Sequence, residues 1–328
     1  MVSRRIMKGN PVTDVELFGK VRHKGRREVH VMIMGSRGAA FPSRHRVSGR
    51  IAAVGDIHGR PDRLLAALSA ISDPAETEVI LLGDYVDRGP DTLGVLEMLR
   101  EMEADHPFRD LVILAGNHDQ MVFEAAAGND EALGCWLING GMSLIMNETG
   151  NPGDIRGAAR DLASLLPRQL TARLRGETPL WHASGSVTFI HAGIPPGAGG
   201  GAFLHAPFPS REGEEHHHPL WVREPFLERA GGHVGPDGSP TFVVHGHTCL
   251  RPGSDLPGAV LGAALSALCR DRIGIDTSNR DHALLLEADG AEMRLTFVLP
   301  DPRPAAEARV ALLSLREGFA DAERGPEP

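Results

Sequence analysis

The chain has 328 residues, of which 41% are apolar and 5% aromatic, and a formal net charge of −9. Its length suits one large domain or two small ones, with the aliphatic core that buried strands supply in α/β proteins; its acidic balance argues against nucleic acid as a partner, because phosphate backbones reward clustered Lys and Arg. No apolar run approaches the roughly 20 residues of a membrane helix, no secretory signal opens the chain, and Cys135, Cys249 and Cys269 show no paired spacing, so a cytoplasmic protein with reduced thiols is expected.

Residues 1–49 are rich in Arg and Lys and carry little periodicity, which predicts a loosely ordered basic extension with one short strand over 29–34. From residue 50 short apolar runs recur, each ending in Gly, Asp, Asn or His. The run 51–54 precedes Gly55-Asp56, 79–82 precedes Gly83-Asp84, and 111–114 precedes Gly116-Asn117-His118. Further on, 187–190 precedes His191 and 242–244 precedes His245-Gly246-His247. These runs read as buried strands. Between them, 60–71 and 91–102 carry leucines at helical spacing, so sheets covered by helices are expected. The stretch 120–180 is more helical and is read as a cap beside the site. Residues 195–219 form a long loop in which His216, His217 and His218 are expected to be solvated, with no metal role. Late strands are expected over 273–276, 283–287 and 293–298, with Asp289-Gly290 as a hairpin turn, and 300–328 as a flexible tail.

A lone Asp after a strand is usually a helix cap, but five strands each followed by Asp, Asn or His are another matter. In α/β proteins such groups converge beyond the carboxyl ends of the strands. The set Asp56, His58, Asp84, Asn117, His191 and His247 offers carboxylate, amide and imidazole donors without a thiolate, which suits Mn, Fe or Zn. Taken alone, Asp56-Ile57-His58 reads equally well as a helix cap with a structural histidine. Asp84 directly follows a buried strand, where a carboxylate without a cation is costly, and its two oxygens can bridge two ions. Arg88 offers a planar fork for phosphate. Asn117 and His118 are adjacent and point apart, so Asn117 would face metal and His118 substrate, with Asp87 the candidate that holds the His118 tautomer.

The set GDIHG, GDYVDRGPDT, GNHD, HAG and HGHT, in that order, resembles the phosphoprotein phosphatase branch of the calcineurin-like metallophosphoesterases, and more narrowly the bacterial serine/threonine protein phosphatases. The resemblance runs over about 50–299 and includes WLINGG (136–141), LWVREPFL (220–227) and Ile275-Asp276-Thr277. It implies a metallophosphoesterase domain over 50–299, with a two-sheet β-sandwich flanked by helices, an α/β class fold, and a small helical cap. It implies two divalent ions, Mn foremost, one held by Asp56, His58 and Asp84 and the other by Asp84, Asn117, His191 and His247. His118 with Asp87 would be the catalytic dyad, and Arg88 with Arg223 would bind phosphate. The implied reaction is hydrolysis of phosphoserine or phosphothreonine in a phosphoprotein, or of a small phosphoester, by direct attack of a hydroxide shared by the ions. The related dinucleoside polyphosphate hydrolases are the rival. GNHD in place of GNHE leans toward them, and the second Asp of GDYVDRG leans back. A binding protein that had lost turnover would show a broken ligand set, and none of the six is missing.

Overall fold

The computed structural model describes residues 19–21, 29–42, 44–149, 153–195, 206–210 and 213–300. Its strands in chain order are β1 (Gly19–Val21), β2 (Val29–Ala40), β3 (Arg50–Val54), β4 (Thr77–Leu81), β5 (Asp110–Ile113), β6 (Trp181–Ser184), β7 (Val187–Ile190), β8 (Phe242–His245), β9 (Arg272–Gly274), β10 (Ala283–Asp289) and β11 (Glu292–Leu299). They build one sheet in the order β1-β2-β11-β10-β3-β4-β5 and a second in the order β6-β7-β8-β9. The strands that carry the polar clusters all pair in parallel: β3, β4 and β5 in the first sheet, β7 and β8 in the second.

These parallel strands are buried on both faces, which is why each reads as an unbroken apolar run. In β3, Ile51 and Ala53 join Ile80, Leu82, Phe189, Phe242 and Val244 in the core between the sheets. Ala52 and Val54 face the other way, into a core shared with helices α1 (Pro61–Ser69) and α2 (Thr92–Ala104). Asp91 caps α2 by accepting the Gly94 N–H at 2.7 Å. The same core takes in Ala132, Trp136, Leu162 and Leu170. These come from α4 (Asp130–Trp136), α6 (Ile155–Ser164) and α7 (Arg168–Leu174), which with α3 (Asn117–Ala126) and α5 (Met142–Thr149) make up the helical stretch over 120–180. It is therefore a wall of the domain, packed against the first sheet. α7 also covers the edge of that sheet: the Gln169 amide bonds both Ile113 N and Leu111 O, and Arg173 donates to Ile113 O at 2.9 Å. Backbone groups left open on an edge strand would otherwise recruit another strand.

The structure differs from the sequence expectation in several details. The strand expected over 29–34 continues to Ala40 and pairs with β11, so the basic extension is in part a member of the main sheet. Its two glycines, Gly35 and Gly38, hide it from a propensity reading, and pairing with β11 supplies the order. The short strands β1 and β6 have no counterpart in the sequence expectation. The late hairpin turns on Gly290 and Ala291, because Asp289 still pairs with Glu292. Residues 1–18, 22–28 and 301–328 lie outside the described residues, and with them most of the expected extension and tail.

Candidate functional site

Five loops at the carboxyl ends of the parallel strands bring the expected residues together. Asp56 and His58 follow β3, Asp84, Asp87 and Arg88 follow β4, and Asn117 and His118 open α3 after β5. His191 follows β7 and His247 follows β8. Among the described residues six non-glycine residues have positive φ, and five of them belong here: His58 (47°), Asp84 (55°), Asp87 (68°), Arg88 (64°) and His247 (61°). Left-handed backbone costs an L-residue roughly 1–2 kcal/mol, and such strain gathers where a site needs side chains aimed against local preference. Close approach is also built in. A Cβ at Gly116 would run into the Asp84 carboxylate, and one at Gly246 into that of Asp56.

Asp84 is the hub. Its Oδ2 lies 3.4 Å from His58 Nε2 and its Oδ1 lies 3.4 Å from His191 Nε2. Both imidazoles spend their other nitrogen on a carbonyl, His58 Nδ1 donating to Val86 O and His191 Nδ1 to Leu82 O, each at 2.8 Å. Burial pushes both histidines below their ordinary pKa, so each ring is neutral and its Nε2 carries a lone pair. Lone pairs of nitrogen and carboxylate oxygen thus face each other on two sides of Asp84, an arrangement that a cation reconciles. Asn117 Oδ1 sits 3.1 Å from His191 Nε2 and 2.9 Å from His247 Nδ1. His58, Asp84 and His118 form one group with metal-ligating reach, and Asp84, His191 and His247 form another. Asp56 stands just outside these two groups, with both oxygens on the His247 backbone N–H at 3.0 and 3.2 Å. Burial, and then the charges of Asp276 and Asp84, push its carboxyl well above the usual range. Gathered buried carboxylates and neutral imidazoles are a donor set that fits divalent ions.

His118 does a different job from its neighbour. Its Nδ1 meets Asp87 Oδ2 at 2.6 Å, and the other Asp87 oxygen accepts the Trp136 indole N–H at 2.9 Å. His118 Nε2 is left facing the site, where Arg88 donates to it at 2.9 Å while its second Nη donates to His58 Nε2 at 2.9 Å. Arg223 is exposed at the start of the single-turn helix α8 (Glu224–Leu227), and its charge, after burial and that of His191, helps to lower the His247 imidazole's pKa.

Two buried side chains that brace the site loops, Asp119 and Arg63, had no such role in the sequence expectation. Asp119 accepts the backbone N–H groups of Gly116, Asp84 and Tyr85 at 2.9, 2.9 and 3.1 Å and so ties two site loops together; burial and the charge of Asp84 push its carboxyl up to about 7. Its neighbouring GNH motif was the available signal. Arg63 sits in α1 at 1% exposure, donating to Thr277 Oγ1 and His282 O behind the Asp56 loop, and no local pattern marks it. The run 216–218 needs correction. His216 and His217 are exposed, but His218 is buried, with Nδ1 accepting the Leu220 N–H and Nε2 bonding Ala206 O. Its neighbours in sequence are solvated because only one residue of three consecutive ones faces inward.

A family model for the calcineurin-like phosphoesterases matches residues 49–260. The chain belongs to that family. Serine/threonine-protein phosphatase 1 of Salmonella typhimurium is 31% identical to this phosphoesterase over 221 residues, 65% of this chain and 88% of that protein. The symmetrical bis(5'-nucleosyl)-tetraphosphatase of Methylococcus capsulatus is 32% identical over 147 residues, 44% of either chain. The structure of a serine/threonine phosphatase from Saccharomyces cerevisiae is similar with a TM-score of 0.42 at 13% identity, over 78% of this chain and 81% of that one. The phosphoesterase is thus a metal-dependent hydrolase with relatives in the phosphoprotein phosphatase branch. Among its described residues no helix is long and apolar enough to cross a membrane.

Proposed function

We propose that this phosphoesterase is a phosphomonoesterase that removes phosphate from phosphoserine or phosphothreonine in proteins, with Mn as its preferred ion. The observation that carries the reading is the Asp87–His118 pair, 2.6 Å apart, buried and buttressed by Trp136. In this reading Asp56, His58 and Asp84 hold one divalent ion, Asp84, Asn117, His191 and His247 hold a second, and Asp84 is common to both. Bound ions of this kind lower the pKa of a shared water and neutralise phosphate charge. Arg88 and Arg223 bind the non-bridging phosphate oxygens as planar donors. His118 delivers a proton from Nε2 to the departing serine or threonine oxygen, which a poor alkoxide leaving group requires. Asp87 keeps the other proton on Nδ1 and stabilises the charged ring. His118 also lies within reach of the first group of ligands; we assign it the acid role because its Nδ1 is already committed to Asp87 at 2.6 Å.

The second reading, hydrolysis of a symmetrical dinucleoside tetraphosphate, draws on Asp119 in the GNHD motif and on the Methylococcus relative. The longer match to the Salmonella phosphatase favours the first. Turnover of a phosphoserine peptide, a phosphotyrosine peptide and diadenosine tetraphosphate, each with added Mn, separates them. The phosphoserine peptide should be the best substrate by kcat/KM, and preference for the dinucleotide would replace this reading with the second.

A further inference from the structure

A helix of one turn cannot hold itself together, since nucleation uses more backbone entropy than a single turn returns. α8 nevertheless presents Arg223 at its start, so something outside it must supply its order. The structure contains a clamp that does so. At the end of α8 the Leu227 carbonyl accepts from Arg270 Nη1 at 2.9 Å and from Arg272 Nη2 at 3.0 Å. The Arg272 guanidinium carbon also lies 5.7 Å from the centre of the Phe226 ring, in cation–π range. Phe226 is fully buried, its ring 5.1 Å from that of His245 and 5.0 Å from that of His233. It packs so tightly on Gly193, two residues beyond His191, that a Cβ there would enter the ring. At the other end of the helix the Arg223 carbonyl accepts from Phe226 N at 3.1 Å and Leu227 N at 2.8 Å. The backbone of Arg223 is therefore locked to the two residues the clamp holds. Just before it, Trp221 O meets His247 Nε2 at 3.1 Å, and Trp221 Nε1 donates to Gln120 at 2.9 Å.

We propose that Arg272 is a positioning residue for Arg223: by pinning Leu227 and Phe226 it fixes the one-turn helix from which Arg223 reaches the phosphate. This rests on the reading above that Arg223 binds phosphate. Arg272 itself touches no substrate. It works through a helix whose N-cap residue, Arg223, follows Trp221 by two residues, and the Trp221 carbonyl lies 3.1 Å from a site histidine. Lys at this position keeps a charge over Phe226 but loses the fork whose Nη2 serves Leu227 O at 3.0 Å and whose Nη1 serves His245 Nε2 at 3.3 Å.

The test is a double-mutant cycle on the Mn-loaded full chain with para-nitrophenyl phosphate, with metal content and thermal midpoint recorded for every variant. Arg223→Ala should raise KM by about tenfold to a hundredfold, the loss expected of a charged hydrogen bond. Arg272→Met should raise KM by on the order of tenfold with two ions retained, and Arg272→Lys should fall between it and the wild type. The variant carrying both Arg223→Ala and Arg272→Met should match Arg223→Ala alone, because the second residue acts through the first. Additive losses, or an Arg272→Met effect confined to kcat, would overturn the proposal. Arg223→Ala with unchanged KM would instead remove the phosphate role of Arg223 on which it stands. If Arg272→Met does not fold, the same cycle run with Arg272→Lys decides the question.

Discussion

Replacing Trp136 with Phe keeps an aromatic ring in the core and deletes one hydrogen bond, the indole N–H to Asp87 Oδ1 at 2.9 Å. Trp136 and Asp87 are both at 0% exposure, so water cannot take the donor's place. Burial raises the Asp87 carboxyl above its usual range, and the bonds from His118 and Trp136 pull it back. A buried hydrogen bond to a charged group contributes about 1.5–3 kcal/mol, which at 1.36 kcal/mol per pH unit is a rise of about one to two units when it is lost. The sign is fixed by the chemistry. The lost donor favoured the ionised carboxylate, so without it Asp87 takes up its proton at higher pH. Protonated Asp87 no longer stabilises a charged His118, and turnover falls. The acid limb of the kcat profile in Trp136→Phe should therefore lie about one to two pH units above that of the wild type, with rates converging on the alkaline side of the limb. The assay is para-nitrophenyl phosphate hydrolysis from acid to mildly alkaline pH with Mn in excess, with bound metal counted in parallel. Superimposable profiles would refute the idea that Asp87 charge supports His118, and so would a uniform loss of rate accompanied by loss of metal.

His118→Ala should lower kcat by about 10²- to 10⁴-fold, the usual worth of a positioned acid, with both ions kept; a metal count that drops with it would move His118 into the ligand shell. A chelator should silence the enzyme, and titration of the metal-free protein with single divalent ions should restore the highest rate with Mn. His218→Ala should lower stability by about 1–3 kcal/mol, because it leaves buried partners unpaired, whereas His216→Ala and His217→Ala should leave the melting temperature unchanged. Calorimetry on the three variants checks this, and equal melting points would show that the buried contacts of His218 contribute nothing.

The parallel strands and the clusters behind them were legible because the information is local. A doubly buried strand must be apolar throughout, and the polar residue that ends it stands out against the run, as Asp84 does after β4 and His191 after β7. The helical face of α1 was legible for the same reason, but Arg63 within it was not. Its partners, Thr277 and His282, are more than 200 residues away in sequence, and an arginine in a helix reads by default as a surface residue. Arg272 is hidden in the same way, and Trp136, though marked by the WLINGG stretch, acquires its role only from a contact made after folding. β2 was half legible. Its first residues have strand character, while the second half, with Gly35 and Gly38, is a strand because β11 lies beside it. The cluster over 216–218 misled because solvation was inferred for the run as a whole, although a single inward-facing residue is enough to bury one ring.

The claim on which the rest depends is that Asp84 serves two ions at once. Counting tightly bound Mn per chain by elemental analysis, in wild type and in Asp84→Asn, tests it most directly. The wild type should hold two ions, and the variant should lose both together with nearly all turnover. Asp84→Asn that still binds two ions and turns over at the wild-type rate would contradict it.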